Sequence, residues 1–467
     1  MRFSGNFLRE EEVAALCQAV AKTLAEVGVQ FQHEEALALF RGSGASVSGD
    51  RVRIPEALLQ KTLARVPEAF TVKGKSLEYD CTVGKGTPVL AGASGPVFAR
   101  SGGTRRLATT EDFINLLKLT ETSKAVSICN YIIVETQDKP EEKRKLFQVA
   151  CALKYSHKPL IGITLGKGRT RESLRLIREF YGDGEGGPYR AIGIISPISP
   201  LAYDEGMASQ LIDYAKNGQP VMIAACSQPG ATSPVTPAGT LVIDTAEVLA
   251  GIVLAQIVKP GLPVIMGATS TACDLRYVSP AIGSPETGLF TLAFKSLCNH
   301  YHIPCRSGGS LTDAKVLDMQ AGIEAAMTML PAVIGDVDFI LHACGVMDSF
   351  NTVCLEKFLI DEELAEAVLR MKRGFAIDAE SLALAYIAET GPAGSFLMSE
   401  HTMEHCREGF MSTLFSREAF QNWLDGGSKD VEQRAAELLV KRLAAFRLPD
   451  LSGDQQKLLE KYLEGLA

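Results

Sequence analysis

The chain has 467 residues, 46% of them hydrophobic and 22% charged, which is enough apolar material for one large barrel or two medium domains. A formal net charge of −8 sets the mean field against a polyanion and argues against nucleic acid as a partner. Eleven scattered cysteines without a Cys-x-x-Cys pair read as reduced thiols, not as a disulfide frame or a zinc ribbon.

The N-terminal run "MRFSGNFLREEEVAAL" turns acidic before an apolar signal region can form. No stretch is read as approaching the ~20 apolar residues of a membrane span. These features predict a soluble, cytoplasmic protein. Residues 9–66 predict two or three helices, and "FTVKGKSLEYDCTVG" (70–84) predicts a hairpin.

Eight short apolar runs then end in or near Gly, Ser or Thr: "PVLAGAS" (88–94), "VSICNYIIV" (126–134), "PLIGIT" (159–164), "RAIGIIS" (190–196), "PVMIAAC" (220–226), "PVIMGAT" (263–269), "IPCRSGG" (303–309) and "DFILHACG" (338–345). Helical patterns follow each, over 110–123, 141–156, 170–182, 204–218, 238–258, 286–301, 314–330 and 354–374. "PEEK" and "TRES" supply helix starts, and Gly182, Gly218 and Gly374 supply stops. Near-continuous apolar strands alternating with amphipathic helices indicate a parallel sheet covered on its outside. Eight such units point to the α/β class and a (β/α)8 TIM barrel.

The alternative, an open doubly wound sheet, would carry a Gly-x-Gly-x-x-Gly turn after its first strand, and the sequence has none there. "GKGRT" (166–170) lacks phosphate-loop spacing. Beyond 376 the chain is again helical, most clearly in "SREAFQNWLDG" and "DVEQRAAELLVKRLAAF". The expected organisation is an N-terminal helical and hairpin extension (1–87), a catalytic barrel (88–375) and a C-terminal helical extension (376–467) packed on the barrel, with both extensions serving as lids or oligomer contacts.

Barrel chemistry belongs at the C-terminal ends of the strands, where the loops share one mouth. The residues there are Ser94; Asn130, Tyr131 and Glu135; Thr164; Ser196 and Ser199; Cys226, Ser227 and Gln228; Thr269, Ser270, Thr271, Asp274 and Arg276; Arg306, Ser307 and Asp313; and His342, Asp348 and Phe350. The set is neutral and rich in hydroxyls, and any one Ser or Thr reads equally well as a helix cap. His342 could be a satisfied core histidine or a working group. Arg306 could pair with a neighbouring carboxylate or with an anionic substrate. Lys315 and Lys167, the lysines nearest the mouth, sit in polar loops unsuited to Schiff-base chemistry. A zinc site would need three converging ligands, and only His342 supplies an imidazole there. The spacing His401, Glu404, His405 imitates an inverted zinc-protease helix, but it lies after the eighth barrel unit with only Glu408 and Glu418 downstream.

The segments "SPISPLAYD" (196–204), "GATSPVTPAGTL" (230–241), "QIVKPGLPVIMG" (256–267), "GSPETGLF" (283–290), "GGSLTDAKVLDMQAGIEAA" (308–326), "LEKFLIDEEL" (355–364) and "EHTMEH" (400–405) together resemble the trimethylamine methyltransferase superfamily, in the family's order. The resemblance implies a (β/α)8 barrel that moves a methyl group from an amine to the cobalt of a separate corrinoid protein. Founding members use pyrrolysine in the mouth, whereas "RSGGSLTDAK" (306–315) is wholly ordinary. The similarity is therefore to the branch without pyrrolysine, whose substrates are quaternary amines such as glycine betaine, carnitine and proline betaine. A quaternary nitrogen already carries full positive charge and leaves as a neutral amine with no proton to supply, so the protein has only to grip, orient and dehydrate it.

What that reading implies for the site is a set of aromatic faces around the ammonium, from Tyr131, Phe98, Tyr277 and Phe350. Carboxylate or polar contacts would come from Arg306, Arg276, His342, Ser307 and Asp313. Ser94, Ser227, Gln228, Thr269 and Ser270 would face the corrinoid, which arrives on its cognate protein because the chain shows no cofactor motif of its own. His401 and His405 are structural or face that partner. A barrel lyase with a Lys or His base and a non-catalytic quaternary-ammonium binding barrel remain the alternatives, and a homo-oligomer is possible in each case.

Overall fold

In the computed structural model, which describes residues 6–162 and 168–463, the eight apolar runs become eight parallel strands. They are β1 (Val89–Ala91), β2 (Val126–Asn130), β3 (Leu160–Gly162), β4 (Ala191–Ile195), β5 (Val221–Ala225), β6 (Val264–Ala268), β7 (Cys305–Gly308) and β8 (Phe339–Leu341). Each hydrogen-bonds to its neighbours in sequence, and β8 closes on β1. Strand alternation sorts the side chains into two layers. Ile128, Ile161, Ile192, Met222, Ile265 and Phe339 fill the barrel interior. Cys129, Leu160, Ala191, Val221, Val264, Cys305 and Ile340 pack outward against the helices.

The outer layer is α1 (Thr110–Thr122), α2 (Glu141–Tyr155), α3 (Arg169–Tyr181), α4 (Glu205–Lys216), α5 (Pro237–Val258), α6 (Pro285–His300), α7 (Met319–Ile334) and α8 (Leu355–Arg373). Gly182, Gly218 and Gly374 take positive φ of 69°, 67° and 65° at the ends of α3, α4 and α8, a conformation in which glycine has no Cβ to clash. The seventh helix differs from its expected span of 314–330. It starts later because Asp318 caps it, accepting from the Ala321 amide at 3.2 Å, while Ala314 accepts from the Asp348 amide in the mouth loop. It ends later because Pro331 is tolerated inside it, packed where a Cβ on Gly288 of α6 would lie 3.1 Å from its ring.

α5 corrects a second expectation. With 22 residues and a mean hydropathy of 2.0 in its most apolar window, it is long and apolar enough to cross a membrane. It is apolar all round because it is buried all round. Leu249, Ala250, Ile252, Val253 and Leu254 have no exposed surface, and the helix packs between β5, β6 and the N-terminal helices Glu10–Lys22, Glu34–Gly42 and Glu56–Leu63.

The expected hairpin forms from Phe70–Val72 and Cys81–Val83, and it plugs the base of the barrel, adding Phe70, Val72, Cys81 and Val83 to the interior core. The N-terminal extension also contains a small sheet the helical reading missed: Val29–Phe31, Ser46–Ser48 and Arg51–Arg53, joined by Ala202–Tyr203. Its members are two or three residues long, too short for a periodic signal. Past α8 come helices Leu384–Thr390, Glu400–His405, Phe420–Asp425, Val431–Ala445 and Gly453–Glu460. The Val431–Ala445 helix is strapped to the barrel by the Arg442 pair with Glu362 and by Arg100 with Glu432 at 2.7 Å. Thr164 and Lys167 lie outside the described residues.

Candidate active site at the barrel mouth

The alternation that points Cys305 outward turns Arg306 inward, so that a guanidinium lies inside the barrel with 3% of its surface exposed. Gly267 on β6 makes the space, since a Cβ there would lie 3.2 Å from the arginine Cδ. Arg306 Nη1 donates to the Ala268 carbonyl at 3.3 Å, while Nε has no partner among the described residues. No carboxylate among the described residues comes within ion-pair distance of it. The titratable groups that act on it are the thiols of Cys226 and Cys305, and no carboxylate is among them. Burial lowers the guanidinium to about 10, which leaves it cationic.

His342 follows β8 and is buried at 7% exposure. Burial first, and Arg306 second, hold its imidazole well below the ordinary histidine range, so the ring is neutral. Its Nδ1 is without a partner among the described residues, and Phe350 leans over the ring at 4.7 Å between centroids. The loop reaches this position through left-handed backbone at His342, Asp348, Ser349 and Phe350, with φ of 60°, 53°, 51° and 72°. Side chains rarely adopt that conformation unless the surroundings impose it. Here Ser349 Oγ donates to Asp313 at 2.5 Å, and Arg105 and Thr352 donate to Asp348 at 2.9 and 3.1 Å. Arg306, His342 and Phe350 thus form one cluster: a buried unpaired cation, a neutral imidazole and an aromatic ring.

Other expected contacts fall elsewhere. Asp313 also accepts from the Ile282 and Gly283 amides at 3.2 and 3.0 Å, so both oxygens are spent fastening loops and it is not available to substrate. Tyr131 is corrected by strand parity: Asn130 turns inward, its amide donating to the Ala93 carbonyl at 2.8 Å, and Tyr131 is buried at 2% in the layer between strands and helices. Phe98 has the Arg105 guanidinium 3.5 Å above its ring, so one of its faces is already covered by a cation of the protein itself. Arg276 and Tyr277 stand on the outer hairpin Ala272–Asp274/Ser279–Ala281. Tyr277 is 76% exposed and Arg276 is paired to Asp274 at 2.6 Å, so neither converges with Arg306. Ser307 is buried and donates to the Gly308 carbonyl at 3.0 Å.

Of the hydroxyls expected to face a corrinoid, Ser227 and Ser270 are buried in a hydrogen-bonded staple instead. The Ser227 amide donates to Ser270 Oγ at 2.8 Å, and Ser227 Oγ reaches Ser199 and Asp244. Gln228 organises its own turn, its amide donating to Thr232 Oγ1 at 2.8 Å. Thr269 donates to the Ala225 carbonyl at 3.3 Å, and Ser94 is half-buried at the end of β1. The staple ends on two residues that sequence reasoning missed, Asp244 and Glu247. Glu247 accepts from Ser199 Oγ at 2.9 Å and from the Leu201 amide at 2.8 Å. Burial pushes these carboxyls up to about 6 and about 7. Two acids three residues apart, the only charged residues of a 22-residue helix, were the available signal. In the C-terminal segment, His405 pairs with Glu408 at 2.6 Å, and the His401 and His405 rings lie 4.4 Å apart.

A closed parallel barrel whose mouth holds an unpaired guanidinium beside a neutral imidazole defines an α/β barrel with its polar cluster at the C-terminal ends of the strands. The chain belongs to the trimethylamine methyltransferase (MTTB) family, whose model matches residues 4–465. It is 35% identical to a glycine betaine methyltransferase of Desulfitobacterium hafniense (strain Y51), over 98% of this chain and 96% of the relative. It is 34% identical to an L-carnitine:corrinoid methyltransferase of Eubacterium limosum, over 98% and 96%. Among solved structures, the monomethylamine methyltransferase of Methanosarcina barkeri matches with a TM-score of 0.55 at 13% identity, covering 96% of this chain and 91% of that one, and so shares its fold.

Proposed function

We propose that the chain transfers a methyl group from a quaternary amine bearing a carboxylate, with glycine betaine favoured over carnitine and proline betaine, to the reduced corrinoid of a partner protein. The observation that carries this reading is the buried guanidinium of Arg306 with no carboxylate of its own. A desolvated cation of that kind attracts an anion strongly, and the carboxylate of a betaine supplies one. Neutral His342 adds a polar contact without a second positive charge to repel the ammonium end, and Phe350 offers it a ring face. The names of the two relatives support the same substrate class.

The chemistry asks for no general acid, because the carbon–nitrogen electron pair stays on nitrogen and the amine leaves neutral. The bound partner supplies the reduced cobalt that accepts the methyl group. The residues here anchor the carboxylate, hold the methyl carbon toward the open mouth and keep water from the cation. The rim fits a large apolar visitor: Ile198, Val235, Leu275 and Val278 on the loops after β4, β5 and β6 are between 50% and 71% exposed. We assign the barrel (88–375) the chemistry, and the segments 1–87 and 376–467 supporting roles at its base and side.

The test is the full chain mixed with glycine betaine and Co(I) cobalamin, or its cognate corrinoid protein, followed by absorption and by assay of dimethylglycine. Parallel reactions use carnitine, proline betaine and trimethylamine. Methylated corrinoid with a betaine and not with trimethylamine is the expected result. Demethylation without a cobalt acceptor, or betaine binding without transfer, defeats the reading.

A further inference from the structure

Of the eleven cysteines only Cys226 and Cys406 are exposed. Cys406 belongs to the C-terminal segment, among Glu400, Glu404 and Glu408. Cys226 is the residue after β5, and the proposed transfer makes no use of it. Met222 of β5 points into the barrel, so strand alternation turns Ala224 and Cys226 to the same side. The exposed surface of the Cys226 thiol therefore faces the mouth.

Arg306 reaches towards it from two strands away. The arginine side chain crosses β6 at Gly267, where a Cβ would lie 2.9 Å from Ala224 Cβ and 3.2 Å from Arg306 Cδ. Nη1 donates to the carbonyl of Ala268, and Ala268 is in register with Ala225, the residue before the thiol. One strand residue, about 3.3 Å of rise, separates the level of the guanidinium from that of the sulfur. Arg306 Nε and His342 Nδ1, on residues more than nine-tenths buried, have no partner among the described residues, so the space beside the sulfur still has polar groups to satisfy. The surrounding protein raises the thiol above its ordinary range, while the Thr269 hydroxyl and then Arg306 draw it down. Asp244 and Glu247, behind the β5 loop, also raise it, each less strongly than Arg306 lowers it.

We propose that Cys226 is a covalent modification site for small carboxylate-bearing electrophiles, with the anion held on Arg306 and its neighbouring carbon presented to Sγ. With iodoacetate the thiol gives its proton to solvent and the thiolate attacks the methylene carbon. The sulfur–carbon bond forms, the carbon–iodine bond breaks, and iodide leaves with the electron pair. The carboxymethyl group left on sulfur keeps its carboxylate on Arg306. The inference rests on Arg306 as carboxylate anchor and not on which amine is demethylated.

The experiment alkylates the full chain at about pH 8.5 with iodoacetate or iodoacetamide and follows Cys226 and Cys406 separately by peptide mass spectrometry. An ordinary exposed thiol reacts faster with the neutral amide, and Cys406 is expected to show that order. Cys226 is expected to reverse it, taking iodoacetate about tenfold faster at a rate that saturates with reagent. Arg306→Gln should abolish the preference and Arg306→Lys should keep part of it, with thermal melts as the control for folding. Acetate, which has the anion but no leaving group, should slow the labelling of Cys226 in the wild type, so the test stands even where a variant does not fold. The proposal is overturned by an unlabelled Cys226, by faster reaction there with the amide, by a rate that acetate leaves unchanged, or by a preference that survives in folded Arg306→Gln. Glycine betaine should protect as well. If acetate protects and glycine betaine does not, the modification site stands and the substrate reading falls.

Discussion

Arg306 and Arg276 are 30 residues apart, both near the mouth, and chemically identical, yet they hold opposite positions. Arg276 has a side chain 80% exposed and is claimed by Asp274 two residues away, which raises its basicity. Arg306 is buried, unclaimed and lowered to about 10. A surface guanidinium with a partner gains little from another anion, because water and the partner already solvate it. A buried one without a partner carries an unmet desolvation cost that only an incoming anion relieves. Availability, more than residue type, therefore separates a binding group from a surface charge.

The largest test of that contrast is Arg306→Gln, which keeps some hydrogen bonding and removes the charge. It should lower kcat/KM for glycine betaine by ~100-fold or more, of the order of 3 kcal/mol, chiefly through KM. If the loss is below fivefold, the carboxylate binds elsewhere. Next is Glu247→Gln. The folded-state carboxyl is raised above its ordinary value, so the folded protein holds its proton better than the unfolded chain, and stability falls as pH rises from about 4.5 to about 7. Removing that charge should stabilise the protein by ~2 kcal/mol at pH 8 and leave it unchanged at pH 4, read by denaturant melts at both pH values.

Smaller still is Phe350→Ala, which removes the ring over His342 and should cost about fivefold to tenfold in kcat/KM for betaines, on the ~1 kcal/mol scale of a cation against one aromatic face. The smallest is Arg276→Ala, expected to change kcat/KM less than twofold with free cobalamin as acceptor. A large effect there would erase the distinction between inner and outer arginine. Since His342 is neutral throughout the ordinary range while Arg306 stands beside it, the rate of the Arg276→Ala chain should show no inflection from this imidazole near pH 6.5.

The barrel itself was readable because its signal is redundant. "PVMIAAC" and "PVIMGAT" need only be apolar and short to be strands buried on both faces, and eight repetitions fix the closure. Arg306, His342 and Phe350 were readable as positions, since each falls at or just beyond a strand end. What their neighbours would be was not readable. Tyr131 follows Asn130 by one residue, and that single step of strand parity moves a side chain from the mouth to the helix layer. Asp313, Ser227 and Ser270 looked like mouth residues, but their partners arrive from a helix and loops 17 to 43 residues away. Asp244 and Glu247 were passed over because the helix that bears them reads as uninterrupted core.

The amino-acid sequence by itself determined the order of strands and helices, the caps that separate them, and the family, because all of these are written in local pattern and contiguous motifs. Only the tertiary structure decided which arginine is unclaimed, which hydroxyls are consumed in fastening loops, and that residues 374–413 have no fully buried side chain. The reason is that hydrogen-bond satisfaction and burial depend on what long-range folding brings within about 3 Å, and no local pattern encodes that distance.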